Sequence, residues 1–501
     1  MDVTGNTATP ELNRITPEAQ GLPRIIQGGL GVAVSNWRLA RAVSSLGQLG
    51  VVSGTAIDQV LVRRLQDGDP GGHTREALDH FPVPEIAERI WTRFYIPGGK
   101  PDRQAYALAP PQTSSGSRDF FETCMVANFV EVYLARQGHS NPVGINFMEK
   151  LQPPHLASIY GAMLAGVSFV LMGAGIPMKI PAVLDRFSRR DSATYPLHVT
   201  GATADDDTMM HFDPEAFLGT PLPVLTRPLF LAIVSSSVLA ATLAKKAAGR
   251  VDGFIIETPA AGGHNAPPRG QLQLNAEGEP IYGERDRVDL AKFRALGLPF
   301  WLAGGFGSAQ GLREALEEGA AGIQVGTAFA FCDESGMRDD YKRAVIDSVS
   351  RGTIRVFTDP LASPTGFPFK IACLDGTISQ EEVFTARPRV CDLGYLREAY
   401  RTEDGRVGFR CPAEPVSAYV SKGGAVQDTE HRKCICNALL SVIGQPQVRG
   451  NYEEPAVVTA GDDLAGIGRF LAPGESSYRA ADVIARLLDS ADVQAPDQVT
   501  I

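Results

Sequence analysis

Short, dense apolar runs recur along the first two-thirds of the chain, and the stretches between them carry helical periodicity. The runs are Arg24 to Gln27, Leu49 to Ser53, Pro142 to Phe147, Val167 to Met172, Leu229 to Val234, Val251 to Glu257, Phe300 to Ala303 and Gly322 to Val325. Each has the length and apolar density of a strand buried on both faces. Between them, Trp37 to Leu46 places Leu39, Ala42, Val43 and Leu46 on one helical face, and His155 to Ala165, Lys179 to Phe187, Val238 to Ala248, Asp289 to Ala295 and Ala309 to Glu318 also read as helices. Eight strand-then-helix repeats predict a (β/α)8 TIM barrel in the α/β class, with a doubly wound open sheet as the alternative.

Departures from that rhythm define the domains. Residues 1–22 are polar and read as an N-terminal tail, and the barrel spans 23–370. Insertions fall at 54–140, 201–228 and 265–287; the first holds helix candidates at Asp58 to Gln66 and Phe120 to Gln137. Leu197 to Thr200 is a further strand candidate. Residues 333–370 read as a helix followed by RGTIRVFTDPLASPTGFPFK, a long Pro- and Gly-rich loop of the kind that usually carries function. From 371 to 501 the alternation stops, and helix candidates such as Asn437 to Val442 and Ala480 to Leu488 imply a smaller, mainly helical C-terminal region.

Composition narrows the partners. With 501 residues, 44% hydrophobic and 21% charged, the chain can bury a large core, and its net charge of −10 argues against nucleic acid or an anionic membrane surface. No apolar run approaches the roughly 18 residues that cross a bilayer, and the N-terminus has no signal-peptide core, so a cytoplasmic protein is expected. Seven cysteines, an odd number, suit a reducing compartment.

A barrel turns the C-terminal ends of its strands into one mouth. Here those ends are Gln27-Gly28-Gly29, Ser53-Gly54, Asn146, Gly173-Ala174-Gly175, Ser235-Ser236, Glu257 with Gly262-Gly263-His264, Gly304-Gly305, and Gln324-Gly326-Thr327. GGLG after the first strand lacks the GxGxxG spacing of a dinucleotide fold. The turns AGGFGS and QVGTAF after the last two strands lead into helix N-termini, where backbone donors and the helix dipole would hold a phosphate, so a phosphorylated cofactor is expected. In VDGFIIETPAAGGHNAPPRG, Gly262 and Gly263 permit a turn that carries His264 away from the end of a buried strand.

These motifs, in this order and spacing, resemble the nitronate monooxygenase family, with the flavin-dependent enoyl reductases of fatty-acid and polyketide synthesis as close relatives. The resemblance covers about residues 23–370 and rests on IIQGGLGVAVSNWRLARAVSSLGQLGVVSG, GAGIP, the strand running into ETPAAGGH, LAGGFGSAQGLREALEEGAAGIQVGTAF and the loop before Lys370. It implies an FMN-binding barrel in which Gln27, Gly28 and Gly29 border the isoalloxazine and Asn146 lies beside it. Glu257 and Gly263 are expected on the cofactor, Gly304, Gly305, Gly326 and Thr327 on its phosphate, and His264 faces the substrate. Two departures stand out: TPAA separates Glu257 from Gly-Gly, and NAPPRG follows the histidine.

As a monooxygenase, the protein would oxidise an alkyl nitronate or nitroalkane with O2 to a carbonyl compound and nitrite, with His264 either as general base at its ordinary pKa near 6.5 or binding the nitronate already formed. As an enoyl-thioester reductase it would use NAD(P)H and work on a substrate carried by an acyl-carrier protein. Arg269, Arg285 and Arg287 would then be available for a phosphate, although arginines in a polar insertion are more often surface residues. Cys391, Cys411, Cys434 and Cys436 lie within 46 residues, so zinc or an iron–sulfur cluster is a candidate against unliganded cysteines; Cys124, Cys332 and Cys373 read as packing residues.

Overall fold

All eight apolar runs pair into one parallel sheet that closes on itself. The computed structural model describes residues 21–113, 116–220 and 224–489. Its barrel strands are β1 (Ile25–Gln27), β2 (Gly50–Ser53), β3 (Val143–Met148), β4 (Phe169–Gly173), β5 (Leu229–Val234), β6 (Gly253–Glu257), β7 (Phe300–Ala303) and β8 (Gly322–Val325). They pair in the order β1-β8-β7-β6-β5-β4-β3-β2, every pair parallel. An open sheet would leave β1 and β2 as edges. Instead Ile26 bridges Leu49, with Gln27 N–H donating to the Leu49 carbonyl at 2.9 Å and Leu49 N–H to that of Ile25 at 3.1 Å.

Strand alternation splits the apolar side chains into two cores. Ile26, Val51, Leu171, Leu231, Ile255 and Trp301 fill the barrel, while Ile25, Val52, Ile145, Val170, Ile256 and Ile323 face the surrounding helices. The Trp301 indole N–H donates to the Pro23 carbonyl at 2.8 Å, so this fully buried ring leaves no polar atom unpaired.

The expected 54–140 insertion is mostly helical, with helices Ile57–Gln66, His73–Leu78, Pro84–Phe94 and Arg118–Ala135. Helix Arg118–Ala135 is buried on nearly every side, as a helix apolar all round must be. It packs on helix His155–Leu164, where a side chain at Gly161 would meet the Met125 carbonyl oxygen at 2.0 Å.

Leu197 to Thr200 lies outside the barrel. Ala193–Pro196 pairs with Met209–Phe212, and Val199–Thr200 runs beside Glu398–Arg401, which forms a hairpin with Val407–Arg410. The Pro- and Gly-rich loop is a hairpin too: Val356–Asp359 pairs antiparallel with Phe369–Ala372, whose other edge takes Gly263–His264. The C-terminal part holds short helices such as Ile435–Val442 and Ala480–Leu488; Ala372 of that hairpin donates its N–H to the Val458 carbonyl at 2.9 Å, and Val457, Val458 and Leu464 join the same apolar core as the barrel's helices. Residues 1–20 of the expected tail lie outside the described residues. Among the described residues, no helix is long and apolar enough to cross a membrane.

Candidate active site

The inward register established by Ile26, Val51, Leu171, Leu231, Ile255 and Trp301 continues to the top of each strand. Two residues further on it brings Gly28, Ser53, Gly173, Ile233, Glu257 and Ala303 to the mouth, joined by Asn146 and Gln324. All eight line one cavity of about 210 Å³.

Most of the expected site residues meet there. Gly28, Gly29, Asn146, Glu257, Gly263, His264, Gly304, Gly305, Gly326 and Thr327 all line the cavity. Gln27 does not. Its strand neighbour Ile26 points inward, so Gln27 points outward and is fully buried, receiving the Val51 N–H at 3.0 Å and donating to Ser35 Oγ at 2.8 Å. It ties the glycine turn to β2 rather than bordering the cavity.

His264 sits on the short strand pairing with Phe369 and Lys370. Its Nε2 is 2.7 Å from Ser363 Oγ, and Phe369 packs edge-on at 4.8 Å between ring centres. Lys150 Nζ lies 3.8 Å from the centre of Phe367, a second ring beside the histidine, and donates to the Thr365 carbonyl. Enclosure by these walls, reinforced by the Lys150 charge, pushes the imidazolium pKa down to about 3. The expected neutral form holds, but the expected basicity does not: a group so hard to protonate is a weak base at neutral pH. Glu257 moves oppositely, its carboxyl pushed up to about 7 by burial.

The C-terminal part supplies a wall the sequence pattern did not suggest. Leu393, Tyr395, Leu396, Ile435, Leu439 and the segment Thr459, Ala460 and Asp463 also line the cavity. That segment is held on several sides. Asp462 N–H donates to the Ala260 carbonyl at 3.0 Å, Gly461 N–H to Thr327 Oγ1 at 2.9 Å, and Thr459 Oγ1 to the Lys370 carbonyl at 2.7 Å. Buried Lys370 reaches Asp462 Oδ1 and Thr358 Oγ1, each at 2.7 Å. Tyr395 hydrogen-bonds the buried carboxyl of Asp58, itself pushed up to about 7 by burial.

The residues fit a flavin. Asn146 Oδ1 and Gln324 Oε1 are buried without a protein partner, and amides so placed suit the donors and acceptors along a flavin's pyrimidine edge. Gly29 leaves room no other residue could leave, since its Cβ would lie 2.4 Å from that of Asn146. Gly304 and Gly305 have φ of +83° and +84°, open cheaply only to glycine. The phosphate-type turns hold one surprise. Asp463, bonded to Thr327 and with its carboxyl pKa raised by burial, stands beside them, and among the described residues no Lys or Arg lines the cavity.

Arg269 is exposed and donates to the backbone carbonyls of Ser235 and Arg285, each at 2.6 Å; Arg287 pairs with exposed Glu284. Both ties fit the surface reading of those arginines. Cys391, Cys411, Cys434 and Cys436 line a second, smaller cavity, and Cys436 lines both.

Comparison with known proteins adds sequence likeness to this geometry. Residues 224–358 match the family model described as nitronate monooxygenase. Over 124 residues the chain is 33% identical to (3aS,4S,5R,7aS)-5-hydroxy-7a-methyl-1-oxo-octahydro-1H-indene-4-carboxyl-CoA dehydrogenase of Mycobacterium tuberculosis, covering 25% of this chain and 32% of that one. Over 127 residues it is 35% identical to nitronate monooxygenase of Pseudomonas aeruginosa, covering 25% and 33%. The chain thus spans about a third of the length of the curated relatives it matches. Among solved structures, nitroalkane oxidase from Streptomyces ansochromogenes aligns over 93% of this chain and 94% of its own at 15% identity and a TM-score of 0.47. FabK from Thermotoga maritima aligns over 93% and 91% at 15% identity and 0.44. The likeness to the nitronate monooxygenase family thus lies in residues 224–358, which run from β5 past β8.

Proposed function

We propose that the chain is an FMN-dependent oxidoreductase that reduces the carbon–carbon double bond of a neutral enoyl thioester, with NAD(P)H as the source of electrons. One observation carries this reading over its rival: the cavity is lined by the carboxyl groups of Glu257 and Asp463 and a neutral His264, with no Lys or Arg among the described residues that line it. An anionic substrate would meet no counter-charge there, whereas a neutral thioester needs none. FMN, when bound, would supply the hydride. Gly28, Gly29, Asn146 and Gln324 would hold its ring system, and the turns at Gly304-Gly305 and Gly326-Thr327 its phosphate.

The remaining steps fall to side chains. Glu257, with its proton equilibrium near neutral pH, would deliver the proton that completes reduction. His264, fixed by Ser363 and Phe369, would position the thioester carbonyl through the ring nitrogen not turned toward Ser363. A coenzyme A or acyl-carrier thioester fits this role, and the partial likeness to an enzyme named as a carboxyl-CoA dehydrogenase supports the substrate class.

A second reading has its own support in the family match. As a nitronate monooxygenase, the protein would oxidise an alkyl nitronate with O2 to a carbonyl compound and nitrite. With His264 so weak a base, the substrate would be the nitronate already ionised rather than the nitroalkane. The two readings separate in one pair of assays on flavin-loaded protein: NAD(P)H oxidation driven by an enoyl thioester, and nitrite release from a nitronate under air. Nitrite release without thioester-dependent oxidation overturns the reductase, and failure to bind FMN overturns both.

A further inference from the structure

Small cavities adjoin the barrel mouth. The one shared by Cys391, Cys411, Cys434 and Cys436, about 10 Å³, is too small for the metal cluster those cysteines suggested, and among the described residues no three His, Cys, Asp or Glu side chains are placed to hold an ion. The cavity behind Glu257 is of another kind. Glu257 lines the mouth, and it also lines a separate space of about 20 Å³ together with Ser235, Thr258, Ala266, Tyr282 and Asp286. Among the described residues no group hydrogen-bonds its carboxyl, so the carboxyl is open to both spaces.

The two departures from the spacing usual in the family build the walls of this second cavity. Thr258 and Pro259 belong to the TPAA spacer, and Ala266, Pro267 and Arg269 to the NAPPRG that follows His264. Both segments are held in place. Thr258 Oγ1 donates to the Gly304 carbonyl at 2.9 Å, and Asn265 Nδ2 to that of Ala261 at 2.9 Å. The Tyr282 hydroxyl donates to the Ala266 carbonyl at 3.0 Å, and Asp286 accepts the N–H groups of Arg269 and Gly283, each at 2.8 Å.

Such a space has room for one water, which needs about 10–15 Å³, and for no organic molecule. The carboxyls of Glu257 and Asp286 and the hydroxyl of Tyr282 offer that water the polar partners it requires. Pro267 and Arg269 border the cavity and are exposed, so it reaches the protein surface.

We infer that Glu257 takes up its proton from bulk water through this second cavity, with one water as carrier, while flavin and substrate fill the mouth. The inference rests on the reductase reading, in which Glu257 gives up a proton in every turnover. Once that proton has gone to the substrate carbon, the carboxylate takes another from the carrier water as solvent protonates the same water oxygen. One O–H bond breaks and one forms at the carrier, no electrons move, and no charge is stranded in the cavity.

The test is infrared difference spectroscopy on FMN-loaded full-length protein, transferred rapidly from H2O to D2O at about pH 6, where Glu257 keeps its proton. The carboxyl band missing from Glu257→Gln belongs to this group, and its shift times the exchange. Ala266→Leu fills the cavity from a half-buried position. With FMN bound it should slow the exchange about tenfold or more, and without flavin it should match the wild type through the open mouth. Ala266→Val should slow it less, and this variant decides the matter if circular dichroism shows that the leucine variant does not fold. Equal exchange in the wild type and a folded variant, with absorption confirming bound FMN in both, would overturn the inference and leave the reductase reading standing. Slowing of the same size without flavin would also overturn it, because distortion and not a blocked path would then be the cause. Failure of the wild type to bind FMN would instead defeat the reductase reading on which the inference rests.

Discussion

Replacing Glu257 by Gln probes the cavity's electrostatics directly, because the amide keeps the shape and cannot ionise. The carboxyl's ordinary pKa of 4.5 is raised to about 7 by burial, with no charged partner to compensate. A folded-state pKa above the unfolded one means that ionisation costs stability. The cost is absent below about pH 4.5, grows as pH rises, and is fully present above about pH 7. At 1.36 kcal/mol per tenfold change in affinity for the proton, the full cost is about 3 kcal/mol, trimmed to about 2 where water in the cavity solvates the carboxylate. For 501 residues, an unfolding entropy of about 2.1 cal/mol/K per residue converts this into a rise in Tm of about 2–3 °C. Glu257→Gln should therefore melt about 2–3 °C above the wild type at pH 8 and together with it at pH 4.5, in differential scanning calorimetry of flavin-free protein. His155 and His264, both pushed to low pKa, titrate alike in the two proteins and drop out of the difference. Equal gaps at both pH values, or no gap at pH 8, would refute the claim that Glu257 is forced to ionise in a poorly solvating site.

Three other outcomes are expected. The pH profile of kcat/KM should lack a limb near 6.5 from His264 and should fall as pH rises through about 7, where Glu257 loses its proton; Glu257→Gln should abolish that limb, and His264→Ala should lower turnover about 10- to 100-fold without moving it. Asp463→Asn removes a buried carboxyl beside the phosphate-type turns, so isothermal titration should show FMN binding about fivefold tighter, corresponding to about 1 kcal/mol; unchanged affinity would place the phosphate elsewhere. Gly29→Ala should cost about 1–3 kcal/mol of stability and most FMN binding, because the added Cβ would lie 2.4 Å from that of Asn146; full flavin content in the purified variant would show that the turn yields.

How much of this was legible in the chain depends on the range of the interaction that decides it. Burial on both faces leaves an apolar run that any reader can find, so all eight barrel strands stand where the pattern put them. Period-two alternation is equally local. Carried two residues beyond Ile26 and Ile255, it points Gly28 and Glu257 into the mouth, and it turns Gln27 away. The signal that excludes Gln27 was therefore present in the sequence, and the motif resemblance overrode it. Helix Pro84–Phe94 is not among the helix candidates named for 54–140, although proline in its first turn and Ile86, Ala87, Ile90 and Phe94 on its buried face are a local signal for it.

The sequence by itself determined the barrel, its glycine turns and the placing of His264 at the end of a buried strand, because each follows from local sterics and from which residues avoid water. Tertiary structure decided the rest. Ser363 meets His264 across 99 residues, and Asp463 meets Thr327 across a comparable gap. Four cysteines from three parts of the chain share a cavity, and one of them also lines the barrel mouth. Whether His264 holds a proton or Glu257 releases one is likewise settled by enclosure. Desolvation depends on everything packed around a group, and no periodicity along the chain records what packs around it.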